Sequence, residues 1–392
     1  SAFTVTSGGI GNDVTAVAVS GSTVELTVSR PIPSWHALTV AYTDPSNGND
    51  ANAVQDSQGN DAASLSSTSV TNNSTVEGRA FEEAGSQSTL KSSTTDDWYG
   101  TAVTLSKDGS TMAVGVPRAA GGGTRRGQVR IYKRSGDDWN LIDTINGTQD
   151  LAQQGHAISL SADGNIIAIG AASYDNGSKS NAGHVRTFKY DTSSSSYSEY
   201  GSNHEIKGRN TSDSFGVSVS LSADGKVLAA GASGHDYSNQ SDVGYIEIYH
   251  LNDSNQWVRK LFKRGSLEDN HFGGEIAVSA DGKTVAVGGP GDTSNSNQGR
   301  VVVYRYNESS DNWLQLGRGK WGEASEDRFG RSLSISADGS VLAVGGPEND
   351  DAGSNRGRVD LFELSESGDL QPLGLPIYGE ANDDQSGVAV SL

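Results

Sequence analysis

Oxygen-bearing side chains crowd one stretch of the sequence. Asp44, Asn47, Asn49, Asp50, Asp56, Asn60 and Asp61 fall within a single polar segment. Calcium takes six to eight hard oxygens from carboxylates, amides and carbonyls gathered by a loop. Asp44, Asn49, Asp50, Asp56 and Asp61 are therefore candidate calcium ligands, weighed against the ordinary use of Asn, Asp and Gly in turns. Trp98 and Trp321 are candidates for a different chemistry, stacking on a sugar ring.

Reaction chemistry is harder to find. Neighbouring acids such as Asp350-Asp351 and Asp383-Asp384 are common, but adjacent residues on a strand point to opposite faces and cannot share a substrate. The His residues show no i, i+2 or i, i+4 pair, and neither a His-Glu-x-x-His nor a Gly-x-Ser-x-Gly motif occurs. Gly121-Gly-Gly-Thr-Arg-Arg-Gly127 is glycine-rich and basic, yet no helix follows it, so a phosphate-loop reading fails. The chain is accordingly expected not to be an enzyme.

Composition narrows the classes further. Of 392 residues 34% are apolar, 50 are Gly, none is Cys and the formal charge is −19. Such an excess of acid argues against nucleic acid and anionic membranes as partners, because both need clustered Lys and Arg. A chain without thiols suits cytosol or bacterial secretion, and the Asn-, Asp-, Gly- and Ser-rich surface favours secretion to the cell exterior. No apolar run approaches the roughly 18 residues of a membrane helix.

The elements that would position these groups are strands. Residues 1–75 alternate apolar and polar at period two in Val14–Ser20, Thr23–Ser29 and Leu38–Tyr42, with a tight turn at Ser20-Gly-Ser22. From Trp98 onward an internal repeat dominates. Asp-Gly recurs at Asp108, Asp163, Asp224, Asp281 and Asp338, with spacings of 55, 61, 57 and 57. In the fifth copy Phe329-Gly330 leads into the strand Ser332–Ser336. The pair Asp338-Gly339 is expected to form a type I′ hairpin turn, and the strand Val341–Gly345 follows. A polar loop then precedes Gly357–Glu363 and a fourth strand over Pro372–Tyr378. Trp139, Trp257 and Trp313, with Tyr197 in their place in the second copy, recur at the start of the fourth strand and read as wedges between neighbouring sheets. Four short strands per unit cannot bury two faces alone, so the units must stack as propeller blades.

The frame Phe-Gly, Leu-Ser-Ala-Asp-Gly-x-x-Leu-Ala-Val-Gly-Gly-Pro, Gly-Arg-Val resembles the FG-GAP repeats of integrin-α-type β-propellers over about residues 80–392. The stretch Val40–Asp61 resembles the SwmB-type Ig-like repeats of large cell-surface proteins from swimming marine cyanobacteria. The fold expected is all-β. An Ig-like β-sandwich over 1–75 lacks its first strand or strands. A propeller over 76–392 has blades near 80–147, 148–208, 209–265, 266–322 and 323–379, with a partial sixth at 380–392. The resemblance places Asp175, Asp236, Asp292 and Asp350 in loops that bind calcium in integrin-type repeats, although the Asp-x-Asp-x-Asp-Gly spacing of that family is missing.

The function expected is non-enzymatic: a secreted structural or adhesion unit of a cell-surface layer, fibre or filament, partnered by copies of itself or neighbouring domains through strand edges. The alternative is a calcium-assisted propeller that binds a surface polysaccharide or protein.

Overall fold

A computed structural model describes residues 3–7, 10–12, 14–20, 23–28, 38–43, 64–70, 90, 94–136, 138–268, 270–291, 297–365 and 368–392. Every regular element among them is a strand. The chain divides into two units, Ser1–Ala84 and Gly85–Leu392.

In the first unit Phe3–Ser7 pairs antiparallel with Ile10–Asn12 on one side and Leu38–Tyr42 on the other, and Leu65–Val70 extends the sheet. The alternating runs Val14–Ser20 and Thr23–Val28 form a separate two-stranded hairpin. Val5 and Tyr42 are buried, and the Phe3 and Tyr42 rings lie 4.9 Å apart.

The second unit is a succession of five antiparallel meanders. Its third sheet is representative: Phe215–Leu221, Val227–Ala232, Tyr245–Leu251 and Trp257–Arg264 pair in sequence order. The second strand of each sheet is an almost unbroken apolar run because it is covered on both faces. Val227–Ala232 is buried throughout. Its alternate residues pack in opposite directions, Leu228 and Ala230 against Ile166 and Ala168 of the sheet before, Val227 and Ala229 against Ile276 and Val285 of the sheet after. This back-to-back stacking of consecutive four-stranded sheets is propeller-like.

Two repeated contacts join successive sheets. The residue before each Asp-Gly hydrogen-bonds its counterpart in the next sheet: Lys107 N to Ala162 O, Ala162 N to Ala223 O, Ala223 N to Ala280 O and Ala280 N to Ala337 O, all 2.8–3.0 Å. Deeper in, the glycine of each second strand abuts the carbonyl of the next sheet's leading glycine, as Gly288 does Gly330.

The hairpin turn differs from expectation. A type I′ turn needs positive φ at both central residues, but only the glycine has it, with Gly339 at 71° and Asp338 absent from that region. The turn is closed instead by its serine and aspartate. Ser336 Oγ donates to Asp338 Oδ1 at 2.6 Å, Asp338 Oδ1 accepts from Ser340 N, and Ser336 Oγ accepts from Val341 N. The same Ser-x-Asp bond holds the other four turns. The fourth strand of the fifth sheet also differs, since Leu370–Pro372 and Ile377–Tyr378 pair separately with Arg358–Leu364.

The segment after the fifth sheet repeats the docking of every earlier one. Gly387 has φ 92° and its carbonyl lies against Gly345, while Ser332 Oγ donates to Gly387 O at 2.7 Å. Ser218 donates in the same way to Gly273 O.

Candidate functional site

The third strand of each sheet begins with Gly, and the first and third residues after it share one face because strand side chains alternate. That face opens on the cleft toward the preceding sheet. In the second sheet the pair is His184 and Arg186, in the third Tyr245 and Glu247, in the fourth Arg300 and Val302, in the fifth Arg358 and Asp360.

Three of these clefts neutralise their own charge. Arg358 grips Asp360 through Nε and Nη2 at 2.7 Å each and reaches Glu323 and Asp351 through Nη1 at 2.8 and 2.9 Å. Glu247, buried, accepts from Arg209 Nε at 2.8 Å, from Arg259 Nη1 at 2.7 Å and from the Tyr249 hydroxyl. Arg186 donates to Glu199 at 2.7 Å and to Gln154 at 3.0 Å. Burial holds the neighbouring His184 ring below the ordinary imidazole range, so the neutral ring donates Nδ1–H to Glu205 at 3.0 Å. The fourth sheet departs from this pattern: Val302 stands where its neighbours carry a charge, and Arg300 lies over the Trp321 ring at 4.9 Å.

A buried carboxylate that the sequence reading missed fastens these clefts. Asp213, three residues before Gly216, is fully buried. Its Oδ1 bonds His235 Nδ1 at 2.7 Å, and its Oδ2 accepts from Arg209 N, Asn210 N and Tyr245 Oη. Asp327, three before Gly330, does likewise for Glu323 N, Ala324 N and Asn349. The signal was present as an acid or amide at a fixed offset from the leading glycine, at Asp97, Asp213, Asn270, Asp327 and Asp384.

Glu275 begins the first strand of the fourth sheet. Burial pushes the Glu275 carboxyl up to about 7 from its ordinary 4.5, with Arg331 opposing. The folded protein therefore holds this proton more tightly than the unfolded chain. The associated stability is complete below about pH 4.5 and is lost as pH rises through about 7. Glu275→Gln should leave stability unchanged at pH 4 and raise it by roughly 2 kcal/mol at pH 8. Urea denaturation at the two pH values measures this, and equal effects at both would sink the assignment.

Only some of the residues singled out in the sequence fall among the described residues. Asp44, Asn49, Asp50, Asp56, Asp61 and Asp292 lie outside the described residues. Asp175, Asp236 and Asp350 each spend one carboxylate oxygen on a backbone amide across their own loop, of Asn181, Asp242 and Asn355 at 2.8, 3.0 and 2.6 Å. Among the described residues no three His, Asp or Glu side chains gather as a metal site. Trp98 is 44% exposed, but one face of its ring is covered by Arg118 at 3.3 Å. Trp321 ends the strand Asn312–Trp321, half-buried. Trp257 and Trp313 are buried wedges, with Trp257 Nε1 donating to Thr187 of the preceding sheet and Trp313 Nε1 to His250.

Comparison with known proteins gives two family matches. Residues 1–47 match the SWM repeat, described as "Putative flagellar system-associated repeat", and residues 322–362 match the FG-GAP repeat. No curated protein matches the chain. Among solved structures, hydrazine synthase of Kuenenia stuttgartiensis is similar at 17% identity over 73% of this chain and 70% of that one, with a TM-score of 0.47. The periplasmic gluconolactonase of Pseudomonas aeruginosa is similar at 18% identity over 71% and 72%, with a TM-score of 0.48. Both are enzymes, which corrects the expectation that this chain is not one. That expectation rested on local motifs, whereas stacked sheets can bring together residues far apart in sequence, as Arg209, Glu247 and Arg259 are. Likeness at this level assigns neither activity to this chain. The chain carries an SWM repeat at its start and an FG-GAP repeat in its fifth sheet.

Proposed function

We propose that the chain is a structural and adhesive component of a cell surface, exported and assembled side by side through the outer edges of its sheets. On this reading residues 1–75 form an Ig-like sandwich and residues 76–392 a propeller whose blades face neighbouring copies. The observation that carries it is a repeated one. The outermost strands of the first, third, fourth and fifth sheets each expose an aliphatic side chain: Leu141 at 54%, Val258 at 39%, Leu314 at 46% and Ile377 at 56%. An edge strand offers unpaired N–H and C=O groups to which another strand can pair. The combination of an SWM repeat with an FG-GAP repeat supports a place at the cell surface.

Light scattering over a concentration series, with and without EDTA, tests it. Multimers that grow with concentration, survive EDTA and are reduced at least tenfold in association constant by Val258→Lys with Leu314→Lys are expected. A monomer at every concentration overturns the proposal.

A further inference from the structure

The cleft between the third and fourth sheets is cationic where its counterparts are neutral. It is lined by Lys263, Arg264 and Arg300, with Ser266, Tyr304 and Gln315 among the neutral donors, and among the described residues no Asp or Glu contributes to its wall. Its space is about 270 Å³. None of the three cations forms an ion pair among the described residues. Elsewhere Arg126, Arg186, Arg209 and Arg358 pair with carboxylates, whereas this concave site gathers three cations with no such pair among the described residues.

Arg300 is held in place by the strand paired with its own. The strand Asn312–Trp321 loops out between Leu316 and Lys320, where the pairing with Val303 and Val301 shifts register. Gly319, at φ 79°, brings the looped backbone so close that a Cβ there would lie 3.1 Å from Arg300 Nε. Arg300 Nη2 donates to the Arg318 carbonyl, and the guanidinium stands over Trp321. Arg264 is oriented as well, with Cζ 3.6 Å from the Tyr237 ring centroid. Arg300 Nε is buried with no partner among the described residues. A buried donor without an acceptor is rare and marks a place where a water or ion belongs.

We propose that this cleft binds an oxyanion, the sulfate or carboxylate group of a small acidic ligand such as an acidic sugar. Planar guanidinium groups fit such oxygens in pairs, and the lysine adds a mobile charge. The cleft of the second sheet closes on Glu199 through Arg186, and in the fifth sheet the residue aligned with Val302 is Asp360, which Arg358 binds. The fourth sheet has Val302 in place of that internal anion and leaves the position to a ligand. The proposal requires neither self-assembly nor calcium.

Isothermal titration with sodium sulfate and with sodium glucuronate, each against sodium chloride at equal ionic strength, tests it. Saturable binding of one or both beyond chloride is expected, and the stronger of the two tells sulfate from carboxylate recognition. Lys263→Gln with Arg264→Gln, both at the cleft rim, should weaken binding at least tenfold, as should Arg300→Gln. Lys283→Gln, which breaks a surface pair with Glu308, should leave it unchanged. No binding beyond chloride for either anion, or equal affinity in the rim variant and the parent, overturns the proposal.

Discussion

Gly231→Ala should lower the stability of the second unit by about 3 kcal/mol, the upper range for overpacking a dense interior. Gly231 is not in the left-handed region, so the added methyl carries no backbone penalty of its own. Its cost comes from contact alone. A Cβ there would sit 1.9 Å from the Gly273 carbonyl of the next sheet and 2.6 Å from Ser218 Oγ. Both are fixed, because Ser218 Oγ donates to that carbonyl and Gly273 N donates to Gly288 O. Relief therefore requires the third and fourth sheets to move apart, which would open the apolar layer of Val227, Ala229, Val285 and Val287 between them. Urea denaturation measures the loss. Gly109→Ala is the control: φ is 66° but nothing lies within 4 Å of the added carbon, so only the backbone cost of roughly 1 kcal/mol applies. A loss at Gly231 no larger than at Gly109 would show that the sheets yield easily.

Asp213→Ala should cost about 3–5 kcal/mol, the range for removing one member of a buried charged network. Four groups lose their acceptor at once: Arg209 N, Asn210 N, the Tyr245 hydroxyl and the His235 ring. The His235 ring and the Tyr245 hydroxyl cannot turn to water, since both side chains are buried. Asp213→Asn keeps one acceptor oxygen and should lose about half as much. Asp175→Ala provides the contrast, because it removes one exposed bond to Asn181 N and should stay within about 1 kcal/mol. Thermal unfolding of the three variants decides it, and an Asp213→Ala midpoint equal to that of Asp175→Ala would mean that the network contributes nothing.

Much of this architecture could be read before any coordinates. The recurring Asp-Gly marked the turn between the first two strands of each unit, and Phe-Gly at Phe215, Phe272 and Phe329 marked where three of the units began. Trp257 and Trp313 were legible as wedges from their place in the repeat. The turn type was not, because Asp-Gly fits more than one geometry and the choice belongs to Ser336, two residues earlier. The outer strands were less legible than the inner ones. Glu205–Lys207 and Ile377–Tyr378 pair as separate pieces, and polar edge strands carry little period.

Residue order by itself determined the repeat, the strand content and the acid balance, because local propensity and spacing act along the chain. Only the tertiary structure decided which charges meet. Arg358 finds Asp360 within its own strand, a pairing that period two allows. Lys263, Arg264 and Arg300 come from strands of two different sheets, and their shared cleft exists only once the Gly231 and Gly273 backbones touch. Charge compensation is settled by distances between sheets, and those distances are set by the glycines that let the backbones approach.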